Sequence, residues 1–452
     1  MADIRPSNRT HLTSIAAPIF GEFVLGITVA MVGLWLASQE SDISAGSFAL
    51  SQQVLETLNV LFRVMAIGGG VVVTQYLGSG NKLLVKQTAL TVLSACTWLG
   101  IVAAGWLLFA GDFTLDILNA PEEVQPLALE YMMFLAPSMV LEAYNLCMAA
   151  ILRAHLQARK SFWVMMVMHG THLLLAIPLM RGWDSWDGMG LNGFALAYFV
   201  SRCVGLVLHL ILWRRGMDLV PQAADWWRIR WDYLKPALRV GLPGAALELI
   251  YRLNFMVALS ATARLGVVAL ATSSYTLQTL KYVLLTSMAI GWACEIMVGR
   301  LIGAKKFKEA DKLVRKAVRN GMLASGSLAL LAAISAPWLM RIFTRDPVVI
   351  AAATTLLWIS VVLEIGRVFN LIVIGTLRAA GDVHYPVQAS VASQILLLGV
   401  GSYVLGRHFG LPGIWIAYVA DECLRGYLMW IRWHKFGWLP KARQTVRDIQ
   451  QR

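Results

Sequence analysis

Long apolar runs separated by short polar connections fill the chain from residue 14 to residue 431. A run of about 20 apolar residues is the length of a membrane-crossing helix. Read that way, the pattern predicts twelve spans, at 14–38, 46–77, 87–110, 124–152, 161–180, 190–213, 240–262, 267–299, 320–340, 350–377, 386–406 and 411–431. No polar stretch is long enough for a soluble domain, which excludes a peripheral or singly anchored enzyme. Composition agrees: 58% of the 452 residues are hydrophobic and 14% charged, against about 45–50% and about 25% in soluble domains. The predicted fold class is an all-α integral membrane protein.

The net charge is +13, from 39 Lys and Arg against 26 Asp and Glu. Such a surplus suits nucleic acid as well as a membrane surface, and the placement of the bases decides between them. The two termini and the connections after even-numbered spans lie on one side of the membrane and hold 28 of the 39 bases. The other side holds five, Arg181, Arg264, Arg341, Arg345 and Arg407, and six lie within spans. The positive-inside rule then places both termini in the cytoplasm of a bacterial-type cell membrane, in contact with anionic lipid and without nucleic acid. The five cysteines (Cys96, Cys147, Cys203, Cys294, Cys423) all fall in predicted spans. They read as buried thiols, and no Cys/His spacing points to a metal.

The chain also repeats itself. At an offset of 225, Pro18 aligns with Pro243, Gln53 with Gln278 and Gly78 with Gly303, and NLCMAAILRA (145–154) matches NLIVIGTLRA (370–379) at five of ten positions. Farther on the offset is 220, with GLNGFALAY (190–198) matching GLPGIWIAY (410–418) at five of nine. Six spans per copy is an even number, so both copies enter from the same side, as a parallel repeat about an axis along the membrane normal. The predicted organisation is an N-lobe over 1–213, a cytoplasmic linker over 214–239, a C-lobe over 240–433 and a basic cytoplasmic tail over 434–452. Within the linker, residues 225–231 (DWWRIRW) alternate aromatics with bases. They read either as an interfacial segment on the cytoplasmic leaflet or as a plain linker with tryptophans at the membrane end. Two six-helix bundles around a pseudo-twofold axis enclose a central cleft, and rocking them exposes it to each side in turn, which favours a transporter over a channel or an enzyme.

Searching for chemistry finds no Walker-A loop, HExxH helix or GxSxG elbow, so neither catalytic residues nor a cofactor is predicted. Gly68-Gly69-Gly70 sits among valines and reads as a site of close helix packing. His169 and His172 read either as a two-ligand metal site or as core histidines. Charge inside the spans is the stronger signal, because each such residue costs roughly 3 kcal/mol to insert and by default marks an ion or substrate path. The first half has Glu22, Glu56, Arg63, Glu142 and Arg202; the second has Glu248, Arg252, Lys281, Glu295, Glu364, Arg367, Asp421, Glu422 and Arg425. Three sets are spaced to share a helix face: Glu248 with Arg252, Glu364 with Arg367, and Asp421 and Glu422 with Arg425. Such acids can gain and lose a proton as the cleft changes sides; alternatively the pairs are permanent and lock the helices. Glu364 and Glu248 lead, each near a span midpoint with a base on the same face. Glu22, four residues after Pro18, nearly mirrors Glu248, five after Pro243.

The chain resembles the multidrug and toxic compound extrusion (MATE) transporters over nearly its whole length. The most specific parts are residues 74–81 (TQYLGSGN), 300–305 (RLIGAK) and 377–382 (LRAAGD), which look like that family's cytoplasmic QxxGAG and LRxxGD turns. The resemblance implies two six-helix lobes around a V-shaped cleft, and export of small cationic or amphipathic compounds in exchange for H⁺ or Na⁺. Three positions depart from it. Thr28, in the run 28–33 (TVAMVG), replaces a first-helix Asp; Arg367 falls where several relatives have an acid, with Glu364 one turn earlier; and Tyr251 falls where some relatives have one, with Glu248 about one turn earlier. The expected function is therefore a secondary active antiporter acting as a monomer on a small-molecule substrate. A flippase for lipid-linked precursors is the alternative, disfavoured because embedded acids outnumber bases eight to six. An intramembrane acyltransferase would need a His, Ser or Asp cluster at the membrane edge, which the sequence lacks.

Overall fold

A computed structural model describes residues 11–182, 184 and 186–452. Its elements are helices: α1 (Leu12–Glu40), α2 (Asp42–Ser79), α3 (Lys82–Phe109), α4 (Gly111–Ile117), α5 (Gln125–Leu135), α6 (Ser138–Ala154), α7 (Ala158–Arg181) and α8 (Leu191–Met217). After a single turn at Ala223–Trp226 come α9 (Trp231–Ala263), α10 (Val267–Gly303), α11 (Phe307–Ile334), α12 (Ala336–Met340), α13 (Pro347–Ala379), α14 (His384–Ser393), α15 (Gly401–His434) and α16 (Leu439–Gln450).

Among the described residues ten helical stretches are long and apolar enough to cross a membrane, and α5 with α6, bent by 57°, make an eleventh. Pro137 stands at that bend and has no N–H to continue the ladder. The last stretch, His384–His434, has 51 residues, or about 75 Å at 1.5 Å per residue, more than twice the roughly 30 Å of hydrocarbon. Gly410 breaks it with φ 63° and ψ −146°, so the stretch is two spans that turn there. That brings the number to the expected twelve.

The helices pack into two compact units. One comprises Gly21–Val73 and Asn81–Leu242; the other comprises Pro243–Arg452 with Thr74–Gly80 and residues 11–20. In the first unit α7 packs on α8, and α6 packs on both α3 and α8. In the second, α13 is central, packed against α10, α11 and α15.

Thr74–Gly80 belongs to the second unit because the end of α2 crosses the end of α10 backbone to backbone. A Cβ on Gly78 would lie 2.0 Å from the carbonyl oxygen of Arg300, and one on Gly303 would lie 1.9 Å from that of Gln75. Adding 225 to 78 and to 75 gives 303 and 300, so the crossing is one contact made twice under the chain's own repeat. Gln75 extends it, its Nε2 donating to the carbonyl of Ala379 at 2.8 Å. In the other unit Gly68 meets the backbone of α9 in the same way, 2.0 Å from Ala237 O, as the glycine run predicted.

Within the predicted linker 214–239, α8 continues to Met217 and α9 starts at Trp231, where Asp232 complements the helix dipole. The tail beyond 434 is a docked helix: α16 buries Ala442, Val446 and Ile449 and turns Lys441, Arg443 and Arg447 outward, while Trp438 stacks on Trp433 at 4.3 Å. Of the five cysteines, Cys203 and Cys423 are only partly buried.

Gly78→Ala and Gly303→Ala are each expected to destabilise by up to about 3 kcal/mol, the upper end for overpacking, because the obstacle is backbone. Gly105→Ala, whose added methyl meets nothing within 4 Å, should be neutral or stabilising, alanine being the better helix former by about 1 kcal/mol. Thermal unfolding in detergent checks the order, and equal behaviour of the three variants would contradict the crossing.

Candidate functional site

The candidate site begins with a second close approach, between α13 and α15. A Cβ on Gly366 would lie 2.8 Å from the Cys423 backbone, and one on Gly426 would lie 2.5 Å from Gly366 O. Glu364 and Arg367 flank the first glycine, and Asp421, Glu422 and Arg425 precede the second, so the approach brings two of the three predicted sets together. Arg425 Nη2 lies 2.7 Å from Asp421 Oδ2 and 2.9 Å from Glu422 Oε1. Arg367 pairs closely with Glu364 and reaches Glu422 Oε1 at 3.7 Å. Asn370 Nδ2 donates to Glu422 Oε2 at 2.9 Å, and the Ser393 hydroxyl donates to Asp421 Oδ1 at 2.7 Å. Directly after Ser393 the chain winds into a π turn, Gln394–Val400, a device frequent at functional sites.

All five charged side chains are buried, Glu364 completely. Three carboxylates face two guanidiniums, so the ionised network carries one net negative charge. Both oxygens of Asp421 and of Glu422 are engaged by donors, whereas Glu364 Oε2 has no hydrogen-bond partner among the described residues. Tyr251 on α9 adds an aromatic edge, its ring 5.9 Å from the Arg425 guanidinium.

The remaining candidates form separate pairs. Glu248 and Arg252 lie 3.2 Å apart but are 25% and 33% exposed, so the third predicted set is not a member of the buried network. Glu56 and Arg63, 3.2 Å apart across two turns of α2, are more open still, at 50% and 33%. Lys281 is exposed. Glu142 pairs with Arg202 at 2.6 Å, and the Arg202 guanidinium lies 3.9 Å from the Tyr198 ring. Glu22 pairs with Arg153 at 2.7 Å, both buried, with the Ser161 hydroxyl 3.4 Å from Arg153.

Arg153 lies just beyond the predicted fourth span, so the sequence places it among the cytoplasmic bases, and the structure pairs it with Glu22 instead. The repeat contained a signal: Arg153 plus 225 is Arg378, which also clamps a buried acid, Glu295, with two bonds of 2.7 Å. His172 packs its ring 4.4 Å from Phe194 and 5.4 Å from Tyr198. Among the described residues no group of three or more His, Cys, Asp or Glu could hold a metal ion, and His169 and His172 are both buried on α7.

The MatE family profile matches residues 18–178 and again 243–404, two copies whose starts are 225 residues apart, together well over half of the chain. The chain belongs to the MatE family. Among relatives of this MatE chain, the transporter YisQ of Bacillus subtilis is 29% identical over 444 residues, covering 97% of each protein. The probable multidrug resistance protein NorM of Thermotoga maritima is 23% identical over 456 residues, covering 98% of this chain and 97% of its own. Solved structures share the two-lobe fold. A MATE protein in the bent conformation superposes with a TM-score of 0.89 at 16% identity over 98% of both chains. An outward-facing multidrug resistance MATE transporter of the MOP superfamily gives 0.84 at 16%, over 97% of this chain and 96% of that one. These relatives are membrane transporters, not enzymes.

Family membership makes the three turns interpretable. In this MatE chain the glycines of 74–81 and 300–305 are the crossing points of α2 and α10. In 377–382, Arg378 clamps Glu295, and Gly381 takes φ 86°, a left-handed conformation that favours glycine, 2.2 Å from Thr445 Oγ1 if it carried a Cβ. Asp382 ends the turn with a 2.8 Å pair to Arg432. Thr28 returns its hydroxyl to Val24 O at 2.9 Å and brings no charge to α1.

The acid surplus predicts an asymmetry between variants. Arg425→Met strands two buried carboxylates and is expected to cost about 3–5 kcal/mol. Glu364→Gln leaves two acids facing two bases and is expected to change stability by less than about 1 kcal/mol. Thermal unfolding of the purified variants measures both, and a Glu364→Gln loss as large as that of Arg425→Met would contradict the charge balance.

Proposed function

We propose that this MatE chain exports small cationic or amphipathic organic compounds in exchange for H⁺ by alternating access, and that Glu364 is the carboxylate that titrates. The observation carrying this reading is the one-charge acid surplus buried between α13 and α15, with one carboxylate oxygen left open. A buried net negative charge is costly unless a cation neutralises it. A proton does so at a single oxygen. A sodium ion would need several oxygens at once, and those of Asp421 and Glu422 are already held by Arg425, Asn370 and Ser393. Protonating Glu364 breaks its pair with Arg367 and frees Arg367 to move toward Glu422, now 3.7 Å away. Binding of a cationic substrate and binding of a proton are then alternatives, which is the requirement for exchange. A flippase for pyrophosphate-linked cargo would call for a surplus of bases. The 28 bases on the side of the termini support a cytoplasmic location for both ends.

Proteoliposomes with an imposed pH gradient test the assignment. Glu364→Gln is expected to lose proton-driven uptake of a cationic dye while retaining dye-for-dye exchange, since binding survives and coupling does not. Glu248→Gln, which alters a partly exposed pair, is expected to keep most coupled transport. Full coupled transport in Glu364→Gln would sink the proposal.

A further inference from the structure

The α8–α9 connection does not lie loose beside the bundle. The Trp98 indole N–H donates to the carbonyl of Trp227 at 3.0 Å, the Trp98 ring meets the Trp227 ring at 6.1 Å, and Tyr144 packs on Trp226 at 5.0 Å. At the other end Arg230 bonds Gln87. Gln87 and Trp98 are eleven residues apart on α3, about 16 Å along the helix, so the connection runs as a strap along α3.

Between the strap and the start of α3 is a cavity of about 200 Å³, whose polar wall includes Lys86, Gln87, Asp225 and Arg230. Its geometry is fixed from below. Asp225 is buried, accepts the Gln222 backbone N–H at 3.0 Å and holds Arg230 Nη2 at 3.0 Å. Lys86 is exposed, and among the described residues no ion pair to its ammonium is seen. The wall thus carries two cations against one anion, with Leu90 and Val220 completing it on the apolar side.

We propose that this cavity binds the phosphate of an anionic phospholipid headgroup. Net positive charge selects against a cationic substrate and for phosphate, with Arg230 pre-oriented by Asp225 and Gln87 and Lys86 free to close on the anion. The surroundings select a lipid over a free anion. Val220 in the cavity wall is 48% exposed, and Leu83, one turn before Lys86 on α3, and Trp231, next to Arg230 in the chain, are 63% and 66% exposed, an apolar and aromatic surface suited to acyl chains and the headgroup boundary. Basic pockets at the cytoplasmic ends of membrane helices recognise phosphate headgroups in this manner. A bound lipid would reinforce the attachment of the strap to α3 that Arg230 makes with Gln87.

Native mass spectrometry of the full chain in neutral detergent tests this with phosphatidylglycerol and phosphatidylcholine of identical acyl chains. Phosphatidylglycerol is expected to bind at least roughly fivefold more tightly, about the factor from one basic contact, and Lys86→Glu to remove the preference. Arg230→Lys should retain part of it. Lys82→Glu, an exposed base outside the cavity wall, should retain it in full. Equal binding of the two lipids, an unchanged preference in Lys86→Glu, or an equal loss in Lys82→Glu would overturn the site. Glycerol 3-phosphate or inorganic phosphate displacing phosphatidylglycerol at comparable concentration would overturn the lipid assignment in favour of a free anion.

Discussion

Two backbones in direct contact, α2 at Gly78 and α10 at Gly303, constrain the unit that carries the charge network. Helices in lipid gain little from the hydrophobic effect, so their association rests on close packing and on polar bonds between them. Residues without a Cβ permit that packing here, and the symmetry of the contact under the 225-residue repeat makes each glycine the partner of the other copy's backbone. Gln75 ties the crossing to Ala379, at the end of α13, and the preceding residue, Arg378, ties α13 to Glu295 on α10. With α13 held at that end, Gly366 can take the approach of α15 at Gly426, and the five charged residues meet.

The chain repeats its helices but not its charges. In the unit containing α3 and α6 the deeply placed acids are matched one to one, Glu22 by Arg153 and Glu142 by Arg202. In the unit built on α13, three carboxylates share two guanidiniums. Balanced pairs have little reason to take up a cation, since their charge is already compensated. The surplus in the second unit gives a proton or a cationic solute something to neutralise, and the proposed function places the coupling chemistry there.

Much of this was legible in the sequence because it is local. Span length, loop charge and the repeat depend on residues near one another, and the i,i+3 and i,i+4 spacings brought Glu364 to Arg367 and Asp421 to Arg425. Exposure and long-range partners were not legible. Glu56, Arg63, Glu248 and Arg252 lie in apolar runs that look buried, yet a span has an open face, and which face is open depends on tertiary packing. Arg153 and Glu22 are 131 residues apart, and no periodicity connects them. The aromatics of 225–231 and the basic tail mark a membrane interface or a linker in the sequence, but which of their apolar residues (Trp226, Trp227, Val446, Ile449) pack inward depends on partners far along the chain.

The central claim is that a carboxylate between α13 and α15 exchanges a proton when substrate binds. Infrared difference spectroscopy of the reconstituted protein, with and without a cationic dye, observes that event through the carbonyl band of a protonated carboxylic acid. The account predicts a band lost on dye binding in the native chain and absent from Glu364→Gln, with Glu142→Gln and Glu22→Gln leaving it in place. A band that persists in Glu364→Gln, or no carboxylic acid band at all, would contradict it.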